Sequence, residues 1–299
     1  MRLLAPLFFA CALAFLSACQ GGGSGAPGAA AIERFVVAQP ALNESSGLAR
    51  SGRNPGVYWS HNDSGGPTDL YAFDAQGASR GVLHVQGALN LDWEDISGFV
   101  EDGVPRLLVA DVGDNNALRP AVRLYVLDEP ALDAAGGTLD ARASRSFALV
   151  YPDGPRDCEA VAVDAEEGSV YLLSKRDAVP RLYRVPLHPG SPLVVAEALG
   201  EISIPRAAAD APNPEAINWV TSMDFAADAR RAAVVTLSRA YVYTRAEGES
   251  WAQAFARPPA AYAVPDDPQI EAIAWSADAR ELLLTSEGEP TPAARLRVD

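Results

Sequence analysis

Oxygen ligands dominate the candidate chemistry of this chain. In the stretch Leu91–Asn115, LDWEDISGFVEDGVPRLLVADVGDN, an acidic cluster (Asp92, Glu94, Asp95) opens one apolar run and a second cluster (Asp111, Asp114, Asn115) closes the next. Further along, DCEAVAV supplies Asp157 and Glu159, and QIEAIAW supplies Glu271. Carboxylates and amides suit the hard cations calcium and magnesium better than zinc. The three histidines, His61, His84 and His188, fall in different strand contexts, which argues against a histidine zinc site. Glu94, Asp95, Asp111, Asp114, Asn115, Glu159 and Glu271 are therefore the candidate metal ligands, with calcium the expected ion. The alternative is structural: Glu94, Glu159 and Glu271 would accept hydrogen bonds from neighbouring backbone or hydroxyl groups. Asp63, Lys175, Arg176, Arg239 and Glu287 are candidate contacts to a further ligand. A cation flanked by Lys175 and Arg176 would grip a phosphate or carboxylate, although the same bases could simply pair with the acids.

These residues need a frame that gathers them. The turn Glu101-Asp102-Gly103 joins two strand-like runs into a hairpin, so both acidic clusters lie at one edge. The pattern recurs. Each unit has an inner strand, a turn, a middle strand with a polar end, and a third strand of the type [R/D]-L-Y-x-hydrophobe. The inner strands are Ser45–Ala49, the start of Leu91–Asn115, Asp157–Val163, Thr221–Phe225 and Gln269–Trp275. Fourth strands are expected at Gly81–Val85, Ser146–Tyr151, Leu193–Ile204 and Trp251–Val264. Repeats of roughly 40 to 65 residues, each a four-stranded antiparallel meander, define an all-β fold, a β-propeller. Five blades are expected, and a sixth could lie between Leu187 and Val220. Ile32–Val37 is a spare strand before the first unit, and the last unit lacks its fourth. Pairing the two would close the ring and remove an open edge. A β-sandwich is the alternative architecture, but it predicts no repeated order of acidic start, turn and polar end. On the propeller reading, Asn62, Asp63, Glu94, Asp95, Asp111, Asp114, Asn115, Asp157, Glu159, Glu271 and Glu287 share one face, with Lys175, Arg176 and Arg239 making part of it basic. Thr221 stands where the fourth unit would have its Glu.

Composition sets the remaining bounds. The chain has 299 residues, of which 48% are hydrophobic, and a formal charge of −15. That charge disfavours nucleic acid as a partner. Residues 1–18 have the pattern of a signal peptide, with Arg2 before the apolar run Leu3–Leu16. Leu16-Ser17-Ala18-Cys19 resembles the lipobox of bacterial lipoproteins. That resemblance implies cleavage before Cys19, lipidation of Cys19 and, with Gln20 next, anchoring in the outer membrane on its periplasmic side. Residues 19–31 are Gly/Ala-rich and read as a tether, leaving 32–299 as the propeller. Cys158 is then the only cysteine in the folded domain, so no intrachain disulfide is expected and a monomer is the simplest state.

Asn62-Asp63-Ser64-Gly65-Gly66-Pro67 imitates the nucleophile loop of trypsin-like proteases, but no matching histidine context precedes it, and the loop fits a turn between strands. Several motifs together (SGLA, WSHNDSG, DWEDI, DVGDN, YPDGPRDCEA and TSEG) are similar to those of secreted bacterial phytase-like, or esterase-like, propellers. They are more loosely similar to regucalcin and gluconolactonase propellers. The resemblance implies a propeller with acidic residues around its axis. In regucalcin-like enzymes a Glu, an Asn and an Asp hold the metal, for which Glu94 or Glu159, Asn115 and Asp111 are compatible types. True β-propeller phytases use several lysines, whereas Lys175 is the only one here. The functional expectation is a lipid-anchored propeller that binds a cation and a small-molecule or envelope-protein ligand at its acidic mouth. The alternatives are a calcium-dependent phosphoester or lactone hydrolase, and an envelope scaffold.

Overall fold

The computed structural model describes residues 32–134, 136–206, 208, 210–212 and 214–298. The leader, the tether and Cys19 lie outside them. The chain folds as a five-bladed β-propeller.

β1 (Ile32–Val37) opens the chain. Blade one follows as β2 (Ser45–Arg50), β3 (Val57–Asn62), β4 (Asp69–Asp74) and β5 (Ser79–Gln86). Blade two starts with β6 (Trp93–Glu101), β7 (Val104–Asp111) and β8 (Val122–Asp128). The chain then returns to the outside of blade one as β9 (Thr138–Arg142), parallel to β5, before β10 (Arg145–Val150) completes blade two. Blade three repeats the device. After β11 (Cys158–Asp164), β12 (Ser169–Ser174) and β13 (Arg181–Pro186), the short β14 (Leu193–Val195) runs parallel to β10 on blade two, and β15 (Glu197–Glu201) completes blade three. The span Leu187–Val220 thus holds strands of two existing blades and one turn of helix, α1 (Pro214–Ile217), not a sixth blade. Blade four is β16 (Val220–Phe225), β17 (Arg231–Thr236), β18 (Arg239–Thr244) and, after helix α2 (Trp251–Phe255), β19 (Ala260–Ala263). Blade five is β20 (Ile270–Trp275), β21 (Glu281–Ser286) and β22 (Thr291–Arg297). Antiparallel pairing of β1 with β22, from Ile32 opposite Leu296 to Val37 opposite Thr291, closes the ring as expected.

The apolar runs are explained by burial on both faces of each sheet. In β7, Leu107 and Val109 pack toward blade one, while Leu108 and Ala110 pack toward blade three. Five such clusters of buried side chains fill the five gaps between blades. The β6–β7 turn needs left-handed backbone at both Asp102 (φ 51°) and Gly103 (φ 77°), which Asp-Gly supplies.

One strand expectation is corrected. Within Trp251–Val264 only Ala260–Ala263 is extended, and Trp251–Phe255 is helical. Ser250 and Gln253 form a reciprocal capping box, and the i, i+4 pair Trp251 and Phe255 is buried. Trp251 stacks flat on Phe225 at 4.0 Å and donates its indole N–H to Asp164 at 2.9 Å.

Adjacent blades are also joined by side chains. Asp224 on β16 accepts the Trp275 backbone N–H of β20 at 2.8 Å. Burial raises the Asp224 pKa to about 7, against hydrogen bonds and Arg50 that favour its charge. Because the folded-state pKa is raised, this group stabilises the fold most at low pH, and the contribution is lost as pH rises from about 4 through about 7. Asp224→Asn keeps the acceptor and removes the titration. Urea denaturation should therefore show the variant gaining on the wild type between pH 4 and pH 7, with a ceiling of roughly 4 kcal/mol. Parallel pH profiles would contradict the assignment.

Candidate metal centre at the propeller axis

All five inner strands break register at the same place. The pairing skips Ser46, Glu94, Glu159, Thr221 and Glu271, each the second residue of its strand. A bulged residue is released from the ladder and its side chain is re-aimed. Here five bulges surround one axis, so residues far apart in sequence become one ring of three glutamates, a serine and a threonine. The two hydroxyls serve the frame: Thr221 donates to the Ile270 carbonyl at 2.9 Å, and Ser46 to the Glu94 carbonyl at 3.1 Å.

A second ring surrounds the first. In four blades a residue one or two positions past the middle strand donates its backbone N–H to the carbonyl two positions before the bulge: Asp63 to Glu44, Gly113 to Asp92, Lys175 to Asp157, and Glu287 to Gln269, at 3.0 to 3.2 Å. Blade four has Trp219 two positions before its bulge. Within these rings Asp63, Asp92 and Glu94 bring ligand oxygens within 4.8 Å of one another, and so do Glu94, Asp157 and Glu159. Glu94 belongs to both triads. Only 4% of Glu94 is exposed, and its carboxylate accepts, among the described residues, one long hydrogen bond, 3.4 Å from Ser46 Oγ. Asp63 Oδ1 is buried with no hydrogen-bond partner. Gly113 is required by this crowding: a Cβ there would lie 2.1 Å from Glu94 Oε1 and 2.6 Å from Asp92 Oδ2.

The charges around the rings are unevenly balanced. The Lys175 ammonium contacts Glu159 and lies 3.8 Å from Glu271. Burial opposes the charge on Lys175, but Glu159 and Glu271 outweigh it and its pKa is raised. Burial raises Glu94 strongly, with Glu159, Asp63 and Asp92 adding to the effect. It also raises Asp92 to about 6 and Glu271 to about 8. Carboxylates whose ionisation is opposed by burial and mutual repulsion are the electrostatic signature of a site that a cation would relieve.

The other candidate ligands have different employment. Asp95 Oδ2 accepts Val161 N–H at 2.8 Å and Met223 N–H at 3.2 Å, while Oδ1 accepts Ile96 N–H at 2.9 Å and Ser222 Oγ at 3.1 Å. It ties blades two, three and four across the axis. Asp111 pairs with Arg119 at 2.7 Å and accepts Asp92 N–H at 3.2 Å. Asp114 accepts the N–H groups of Leu118 and Arg119, and Asn115 accepts from Arg176. Of the candidate ligand contacts, Asp63 joins a triad, Lys175 fills the ring, and Glu287 accepts from Gln269 at the rim. Arg176 pairs with Asp157 at 2.7 Å and stacks 4.4 Å over Trp219. Arg239 is exposed at the start of β18.

Asp92, Asp157 and Trp219 complete the site without having been singled out as ligands or contacts from sequence. Their shared position, two before each bulged residue, is the signal that would have found them. An open recess of about 430 Å³ on the same face is lined by Glu44, Gln269 and Glu287. A separate cavity of about 300 Å³ lies at the opposite end of the axis, against Arg50, Phe99, Asp224 and Trp275.

No protein-family model matches this chain, and no curated protein matches it in sequence. Its class is therefore stated by fold and site: a five-bladed β-propeller with a buried acidic cluster on its axis that could hold a metal ion.

Asp95→Ala would strand three backbone N–H groups and a hydroxyl in the core. It should cost about 3 kcal/mol or more in chemical denaturation. Near wild-type stability would show that Asp95 is not a tie between the blades.

Proposed function

We propose that this protein binds one divalent cation, calcium, at the acidic end of the axis, and uses that ion to hold an anionic ligand from the periplasm. The observation that carries this reading is Glu94, a buried carboxylate with one long hydrogen bond that is shared by two carboxylate triads. All-oxygen ligands in an irregular arrangement suit calcium, which tolerates variable geometry, better than magnesium. Trp219, stacked against the Arg176 guanidinium, offers an aromatic contact to a ligand held by the ion.

Lipid anchoring through Cys19 belongs to the same proposal, and the topology supports a consistent orientation. β1 begins at Ile32, beside Leu296 near the end of β22, and reaches Val37 beside Thr291, close after Glu287 on the acidic face. The described chain therefore starts on the face opposite the mouth, which is consistent with a mouth turned away from the membrane. The likeness to phytase-like propellers rests on the motifs quoted above. The hydrolase reading needs cations free to bind the substrate anion, and both Lys175 and Arg176 are already engaged with carboxylates. Binding is accordingly preferred to hydrolysis.

Calcium at a hundredfold excess over its Kd should stabilise the fold by about 2.7 kcal/mol, a rise in Tm of roughly 5 °C over the chelator-treated protein. Glu94→Gln should abolish that rise. An unchanged wild-type Tm would remove the proposal.

The raised carboxylates add a pH test. Protons compete with the ion at Asp92 and Glu94, so calcium binding should release protons and tighten as pH rises from 6 to 8. Titration calorimetry in buffers of different ionisation enthalpy measures both effects. PH-independent affinity would mean that the ion binds elsewhere.

A further inference from the structure

Lys175 is the only lysine in the chain, whose remaining basic side chains, histidine apart, are all arginine. It stands in the hub, 7% exposed, with its ammonium against Glu159 and 3.8 Å from Glu271. An arginine would bring a flat guanidinium that needs planar, forked partners. An ammonium is a compact point charge with three donors, closer in shape to a bare metal ion. Its backbone is placed by the same bond, Lys175 N–H to the Asp157 carbonyl at 3.0 Å, that places Asp63, Gly113 and Glu287 in their blades. The three ring glutamates are thus served unequally. Glu159 and Glu271 share the ammonium, whereas Glu94, with Asp63 and Asp92 beside it, has no basic side chain in contact among the described residues.

We propose that Lys175 is a tethered substitute for a second cation. Its ammonium occupies the half of the ring between Glu159 and Glu271, and so limits the hub to one divalent ion on the Glu94 side. The inference rests on the cation-binding reading above. It adds a specificity role: the lysine fixes how many ions, and how much net charge, an incoming anion meets.

The test is a count of calcium ions bound by the full chain, by titration calorimetry and equilibrium dialysis at one pH and ionic strength. Lys175→Met should bind one more equivalent than the wild type. Lys175→Met combined with Glu271→Gln should return the count to the wild-type value, because the new site has lost one of its two carboxylates, and Glu271 belongs to neither triad of the Glu94 site. Equal counts in wild type and Lys175→Met would overturn the inference. The wild-type count alone tests the cation-binding reading, so zero ions there defeats that reading independently of the difference between the two proteins. Should Lys175→Met fail to fold in chelator, its refolding by millimolar calcium, followed by circular dichroism, supports the inference. Failure to refold in calcium overturns it.

Discussion

Space at the axis is the constraint on which the rest depends. Five inner strands converge on one line, and any side chain pointing inward meets its neighbours. Just past the bulges the chain places Gly47, Ala160, Ser222 and Ala272, all small, and a single larger polar group, Asp95. At Gly47 a Cβ would stand 2.8 Å from the Asp95 backbone, so blade one can approach only as glycine. The room left by four small residues is what lets one carboxylate reach two other blades and accept four hydrogen bonds. Asp95 is therefore both filler and tie. Burial holds its pKa well above the usual carboxylate range, and that penalty is opposed by backbone donors and the Ser222 hydroxyl rather than by a base.

One residue earlier on each strand, the bulge reverses the situation. The side chains released there face the open end of the channel, where donors are scarce. Carboxylates in that position repel one another, and burial makes the repulsion stronger. Two devices address it. Salt bridges hold the periphery: Arg119 on Asp111, and Arg176 on Asp157. Lys175 holds the interior. What remains is a group of carboxylates centred on Glu94 that no base contacts among the described residues, and their ionisation is opposed by burial. The same layering separates the site from the cavity at the far end of the axis. There Asp224 is tied to the Trp275 backbone, and Asp164 to Trp251 and Arg245.

The architecture was legible because it repeats. Runs such as RLLVA and SVYLLS are apolar on both faces, which excludes a solvated sheet, and the polar end of each middle strand fell at the same point in every unit. Closure by Ile32–Val37 was legible from a strand left over at one end and one missing at the other. The helix at Trp251 was hidden because its pattern is short: a capping box and one buried i, i+4 pair span too little chain to show a period. β9 was hidden because it is a parallel addition to a blade already complete, and the strand expected at Leu193–Ile204 divides into β14, added in parallel to blade two, and β15 on blade three. Propensity cannot announce a strand whose only partner is the outer edge of an earlier blade.

The site was legible as a composition and not as a list of ligands. DWED, DCEA and QIEA all advertise the ring, and Glu94, Glu159 and Glu271 do occupy equivalent positions. Which acids become available depends on a detail smaller than the motif. Asp95 and Glu94 are adjacent in sequence, yet one lies at the bulge and the other beyond it. The first faces the mouth and the second is consumed by three blades. Asp114 and Asp157 likewise differ by partner, since the Asp114 N–H itself donates to Asp157 at 2.8 Å. A residue's type makes it eligible for chemistry, and its hydrogen bonds decide whether it is free to perform it. That is why fold and function separate in this protein: the blades follow from patterning that many sequences share, while the proposed cation binding rests on the few carboxylates that the frame leaves unpaired.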